Sequence, residues 1–383
     1  TKAIYRRVPV LIKEGPPEEN PWGIKFSAMF HMANDSDLFR TREELEADGW
    51  RLSGNIFRRG TEEYLPLYEA KMLHHFDHRW ATYEGLETRD VTVSEKADPY
   101  FSVLPRYWVQ AGEVRSRLER RDKEGEIIWQ WPHKWLMGFR DITNTTNERT
   151  MIATLLPISA VGNKLPLLFF EEIDQIVMAS AMSALISFAL DFPARQKVGG
   201  TSMTYFYFKQ MPLPQPTVFT NSNTLGSGSR NETTKNVANH CFASWLLPRI
   251  LELTYTAWDL EPFAKDCGYD GPPFKWNEER RFLIRCELDA AFFHLYLGSG
   301  EWQPARKAEG HVMDETDEQL AELKRYFPTP RHAVDYIMDT FPIVKRKDEA
   351  AHGTYRTKDT ILKIYDEMGL AISEWRIANG VAA

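Results

Sequence analysis

Residues Ser183 to Pro214 read SALISFALDFPARQKVGGTSMTYFYFKQMPLP. An apolar helical run leads into a basic turn at Arg195 and Lys197. A glycine pair, Gly199-Gly200, follows, then the hydroxyls of Thr201 and Ser202. Tyr205-Phe206-Tyr207-Phe208 has the alternation of a strand, with one pair facing the core and the other outward. Pro212 and Pro214 end it. Arg195, Lys197 and Lys209 surround the glycines with positive charge. Glycines allow close approach of backbone to a partner. Amides, hydroxyls and cations together hold phosphate oxygens. Helix and strand in one unit, with strands before it and helices after it, predict an α+β fold.

Composition sets the outer bounds. The chain has 383 residues, 43% of them hydrophobic and 13% aromatic. That is enough for two or three domains with packed cores. The net charge is -7, so any nucleic-acid site must be a local basic patch on an acidic molecule. Cys241, Cys267 and Cys286 are widely spaced and odd in number. They show neither a disulfide framework nor zinc spacing, and a cytoplasmic location is the expectation. The apolar region 151–192 is broken by Asn163, Lys164, Glu171, Glu172 and Asp174, short of the roughly 20 apolar residues of a membrane span. A first residue Thr1, not Met, suggests a piece of a longer protein.

The pattern predicts four segments. Residues 1–60 form a connecting segment, with a strand over Tyr5–Ile12 and a capping box at Thr41-Arg42-Glu43-Glu44 that opens a helix ending at Gly49. Residues 61–215 form an α/β domain. Leu65–Phe76 reads as a helix with Pro66 in its first turn. Ile127–Trp131, Trp135–Ile142 and Met151–Pro157 read as strands, and Asp174–Asp191 as one helix. Residues 216–237, rich in Ser, Asn, Gly and Thr, read as a linker. Residues 238–383 read as helical, with helices over Ala238–Tyr255, Glu278–Tyr296, Asp314–Tyr326, Pro330–Phe341 and Thr357–Ala378.

Two constellations carry potential chemistry. Lys71-Met-Leu-His-His-Phe-Asp-His-Arg79 is the densest polar cluster. On a helix His74 and His78 would share a face at i and i+4, the spacing of a metal pair. Phe76-Asp77 replaces the glutamate of a metalloprotease motif. Nucleic-acid contact through Lys71, His75 and Arg79, or a structural polar cap, are the other readings. The second constellation is the edge made by Arg140, Arg149, Arg195 and Lys197 with Gly199-Gly200-Thr201-Ser202. Each cation alone suits a surface salt bridge. Together they suit a duplex. Arg115, Arg117, Arg120 and Arg121 read as a solvated face.

Several motifs fail. Gly271-Pro272-Pro273-Phe274 resembles the Asn-Pro-Pro-aromatic loop of amino-methyltransferases, but glycine replaces the side chain that accepts from the target amino group. No glycine-rich cofactor loop and no Gly-x-Ser-x-Gly elbow occurs. Glu69-Ala70-Lys71 matches a nuclease tripeptide only weakly. No catalytic, cofactor-binding or metal-binding residue is assigned.

Longer segments resemble one family. Tyr5-Arg6-Arg7-Val8-Pro9-Val10, Asn20-Pro21-Trp22-Gly23, Leu65–Met72 and Phe76-Asp77-His78-Arg79 are similar to the C-terminal half of large adenine-specific DNA methyltransferases, the type IIG restriction-modification enzymes and the methylase of DISARM phage defence. Arg140-Asp141-Ile142, Asn147-Glu148-Arg149-Thr150, Arg195–Gly200, Lys209-Gln210-Met211-Pro212, Tyr336–Pro342 and Arg356-Thr357-Lys358 extend the likeness from about residue 4 to 366. The resemblance implies a target-recognition part that reads double-stranded DNA. S-adenosylmethionine and the catalytic loop would belong to a separate methyltransferase domain of the parent, and other defence-system subunits are possible partners. Lys71, His75, Arg79, Arg140, Arg149, Arg195, Lys197, Thr201, Ser202 and Lys209 are the expected DNA contacts. The alternative is an acidic scaffold that joins the methyltransferase to defence partners without touching DNA.

Overall fold

The strand Trp135–Phe139 is buried at every residue, and Leu167–Phe170 likewise. Runs of four or five apolar residues of this kind form the centre of a covered sheet. That sheet is antiparallel, in the order Ile24–Ser27, Leu167–Phe170, Trp135–Phe139, Ala153–Pro157. A second sheet runs Ala160–Val161, Glu62–Tyr68, Ile56–Arg59, Arg51–Ser53, with Trp108–Gln110 also paired to Glu62–Tyr68. The hairpins Ala81–Glu84 with Glu87–Asp90 and Glu119–Arg121 with Ile127–Gln130 stand apart. The computed structural model describes residues 1–221 and 241–378, with side chains as far as residue 371.

The fold is α+β, as the sequence predicts. Helices Gln175–Leu185 and Phe242–Thr254 pack together beside the sheets. The 20-residue helix Glu278–Leu297 contacts Phe188–Lys197, Phe242–Thr254, Arg356–Ala378 and the first helix Lys2–Arg7. One buried apolar cluster runs from Ile4 through Trp135 and Leu185 to Tyr365. The N-terminal helix is tied to the far end of the chain by charge. Glu315, 1% exposed, accepts from Arg6 and Arg7 at 3.0 and 2.9 Å and from the Ala305 amide.

Local signals are borne out where caps define them. Thr41 accepts from the Glu44 amide and Glu44 from the Thr41 amide, and the helix Arg42–Ala47 ends before Gly49 at φ +81. Strands are present at Ile127–Gln130, Trp135–Phe139 and Ala153–Pro157. Helices at Glu278–Leu297, Asp317–Tyr326, Pro330–Asp339 and Arg356–Ala378 match the helical second part, and Pro342–His352 adds another.

Five expectations are corrected. Tyr5 lies in the helix Lys2–Arg7, because Pro9 and the extended Val8 end that helix before any strand begins. Leu11 and Ile12 then bond to Met211 and Lys209. Leu65–Tyr68 is strand, since Tyr64, Leu65 and Pro66 pair with Gln110, Val109 and Trp108. Tyr205–Lys209 is a short helix, started by Thr204, whose hydroxyl accepts from the Tyr207 amide. Residues 174–191 contain two helices that meet at 58°, since Ser187 caps a new helix Phe188–Lys197. Of the expected linker, Pro216–Thr220 is a helix with Phe219 buried against Trp22 and Phe242; residues 222–237 lie outside the described residues. Among the described residues no single helix is long and apolar enough to cross a membrane.

Candidate functional site

The helix Phe188–Lys197 delivers the chain to an open ledge. Gly199 and Gly200 are exposed, and a Cβ at either would meet nothing within 4 Å. Thr201 is exposed and Ser202 half-buried, and the ledge is held by backbone. The Thr143 amide donates to Thr201 and the Met203 amide to Asp141, at 3.0 and 2.7 Å. Phe206 is 61% exposed and Ile142 51%. Lys197 donates to Gln210 at 2.6 Å and its ammonium sits 5.0 Å from the Tyr5 ring centroid. Lys209 pairs with Glu14 at 2.8 Å.

Arg140 joins this ledge to the Lys71 turn. It leaves the end of the Trp135–Phe139 strand, two residues before Ile142, and its guanidinium donates to the Leu73 carbonyl. Burial lowers its pKa to about 10. Lys71 is exposed, with its ammonium 4.5 Å from the Tyr83 ring centroid. Three segments are thereby linked: the Lys71 turn through the Arg140–Leu73 bond, and Ile142 with Thr201 and Ser202 through backbone pairing.

Four expected DNA contacts are inside the protein. Arg79 has no exposed surface and donates to the carbonyls of Lys96, Asp98, Phe101 and Thr256. Arg149 donates to Asp191 at 3.2 Å and to the Ile186 carbonyl, with its guanidinium 3.8 Å from the Phe188 ring centroid. Arg195 donates to the carbonyls of Thr145, Asn147 and Glu148. His75 donates Nε2–H to the Met151 carbonyl at 2.8 Å, and burial first, then Arg149, hold it neutral. These side chains clamp loops to one another. A phosphate could reach them only by replacing those bonds, so the phosphate role expected of Arg149 and Arg195 is corrected to an internal one.

His74 and His78 do not share a helical face, because residues 70–80 are a short 3-10 turn and loop. His78 turns to Asp259 at 2.9 Å. His74 stacks near Trp80, with ring centroids 4.6 Å apart. No group of three or more potential metal ligands occurs among the described residues. Glu69 is held by the Tyr83 hydroxyl, which removes it from any nuclease arrangement. At Gly271 a Cβ would collide with the Tyr269 ring, so the acceptor side chain of a methyltransferase loop has no room there.

A cavity of about 90 Å³, lined by both charged and apolar side chains, lies behind this turn. His74, Arg149, Phe188, Arg285, Asp289 and Thr357 are in its wall. Burial, then Arg140, lowers the His74 pKa to about 3. Asp289 accepts from the Phe188 amide at 2.7 Å, and burial raises its carboxyl to about 6. Neither Arg285, Asp289 nor Asp191 stands out in the sequence reading. The available signal was charge at i and i+4, Arg285 and Asp289, on an otherwise apolar helix face. No family model matches the chain, and no curated relative matches it.

Proposed function

We propose that this chain is the DNA-recognition part of an S-adenosylmethionine-dependent N6-adenine DNA methyltransferase acting in phage defence, as its sequence resemblance suggests. The observation that supports it best is the open Gly199–Ser202 ledge. It combines free backbone approach, two hydroxyls, an outward Phe206 and flanking lysines on one rigid edge. Backbone and hydroxyls at such an edge hold phosphates, and an exposed aromatic can contact bases or wedge beside them. Phosphate contacts fall to Lys71, Lys197 and Lys209, with Arg140 behind them.

The scaffold reading draws on the internal use of Arg79, Arg149 and Arg195, which leaves fewer cations for a duplex. Charge reversal separates the two. Lys71→Glu with Lys197→Glu, placed in the methyltransferase that contains this chain, is expected to abolish adenine methylation in cells while assembly with its partners is kept. Methylation that persists in the assembled enzyme, or a loss of methylation that only follows loss of assembly, refutes the DNA reading.

A further inference from the structure

The cavity behind the His74 turn contains one cation, Arg285, with no ion-pair or hydrogen-bond partner among the described residues. Its wall comes from five places: the 74–76 turn, the loop at Glu148 and Arg149, the junction of Gln175–Leu185 with Phe188–Lys197, the long helix Glu278–Leu297, and the helices that carry Val344 and Thr357. The other charges are taken. Arg149 pairs with Asp191, and Glu148 pairs with Lys347. Asp289 caps the Phe188–Lys197 helix through the Phe188 amide, where the positive end of a helix stabilises a carboxylate. Arg285 is half-buried, and among the described residues neither a hydrogen bond nor an ion pair reaches its guanidinium. It stands four residues before Asp289 on the same helix and feels that carboxylate's charge, but Asp289 bonds to the Phe188 amide and makes no ion pair with it. The His74 ring and the Thr357 hydroxyl line the same space and also lack hydrogen-bond partners among the described residues.

A half-buried cation without an ion-pair partner favours an anion beside it. Size decides which anion. The volume of about 90 Å³ has room for several waters. A tetrahedral oxyanion is close to that size. A nucleobase is not, since even benzene takes a cavity of about 150 Å³.

We infer that the cavity is a binding site for a phosphate-sized oxyanion, anchored by the Arg285 guanidinium, with donors from Thr357 and the neutral His74 ring. The site does not rest on the DNA reading. The same chemistry could come from free inorganic phosphate or from the terminal phosphate of a nucleic-acid strand.

Calorimetric titration and thermal melting with sodium sulfate, against sodium chloride at equal ionic strength, test the site. Sulfate keeps its charge from pH 5 to 8, which isolates the protein's own titration. The expected result is saturable binding of one sulfate and a melting temperature that rises with it. Arg285→Met removes one charge-assisted bond and is expected to weaken binding about tenfold to a hundredfold. Because Arg285 makes no hydrogen bond or ion pair among the described residues, that variant is expected to melt no lower than the parent in chloride. Thr357→Val is expected to weaken sulfate more modestly, and Arg285→Lys to keep part of the affinity. Asp289 faces Arg285 on its own helix, Arg149 and Glu148 on the adjoining loop, Asp191 and the Phe188 amide on the capped helix, and His74 and His75 on the turn. Asp289 loses its charge as pH falls through about 6, so sulfate affinity is expected to rise over that interval.

Inorganic phosphate that competes with sulfate supports a free-anion source. A 5′-phosphorylated oligonucleotide that competes where the unphosphorylated one does not supports a strand end. Absence of saturable sulfate binding, equal binding by Arg285→Met, or a melting temperature of Arg285→Met well below the parent in chloride overturns the inference.

Discussion

Asp191 offers the sharpest test of how the arginines are used. It is completely buried. Its carboxylate accepts from the Thr150 amide at 3.0 Å, the Met151 amide at 2.8 Å and Arg149 Nε at 3.2 Å, with Arg195 at 3.9 Å. Asp191→Ala leaves two amides without an acceptor and a buried guanidinium without its anion. Breaking a buried charge pair from one side costs about 3–5 kcal/mol. At about 2 °C per kcal/mol for a large chain, the melting temperature should fall by about 6–10 °C. Asp191→Asn keeps an acceptor for the amides but leaves Arg149 without an anion, so it should cost about half as much. Differential scanning calorimetry and urea unfolding give both values. If Asp191→Ala lost under about 1 kcal/mol, Arg149 and Arg195 would not be the internal clamps described above. They would then return to the list of possible duplex contacts.

Three further outcomes follow from the same geometry. Arg79→Met removes a fully buried fork bonded to four separate carbonyls and should destabilise by about 3 kcal/mol or more by chemical denaturation; a loss within experimental error contradicts its clamp role. Thr41→Ala removes the hydroxyl half of the capping box, the acceptor of the Glu44 amide, and should cost about 1 kcal/mol, read as a lower urea midpoint at constant slope. His294 is pushed down to about 4, chiefly by burial, while it stacks on Tyr365 with centroids 3.8 Å apart and bonds to the Tyr365 carbonyl. Its folded pKa lies below the unfolded value, so the unfolded chain binds the extra proton. Stability should therefore be present above about pH 6.5 and fall by about 1.4 kcal/mol per unit toward pH 4. His294→Phe should flatten that slope by one proton, and an unchanged slope from pH 6.5 to 4 refutes the assignment.

What the sequence made legible was local. The capping box at Thr41 and the helices of the second part are written in caps and periodicity that neighbours within a few residues fix. Pro66 misled because proline suits both the first turn of a helix and a strand position that needs no donor. Only its partner Trp108, far along the chain, decides between them. The Tyr205–Phe208 alternation misled because Thr204 is a helix cap, and a cap outweighs alternation over so short a run. The arginines were ambiguous for the same reason. Arg149 meets Asp191 across 42 residues and Arg79 meets Thr256 across 177. No window of sequence shows such pairings, so buried clamps and exposed contacts read alike. The glycine ledge was legible because Gly199 and Gly200 mark an open backbone without any partner's help.

The ledge is the centre of the functional proposal, and duplex binding across a salt series tests it most directly. Fluorescence anisotropy of a labelled duplex with this chain, alone and joined to its methyltransferase domain, gives the affinity at each salt concentration. Lys71, Lys197 and Lys209 should neutralise about three phosphates, so log K should fall linearly with log salt at a slope of about -2.7. Lys71→Glu should make that slope shallower by about 1. Binding that is absent in both forms, or that shows no dependence on salt, contradicts the proposal.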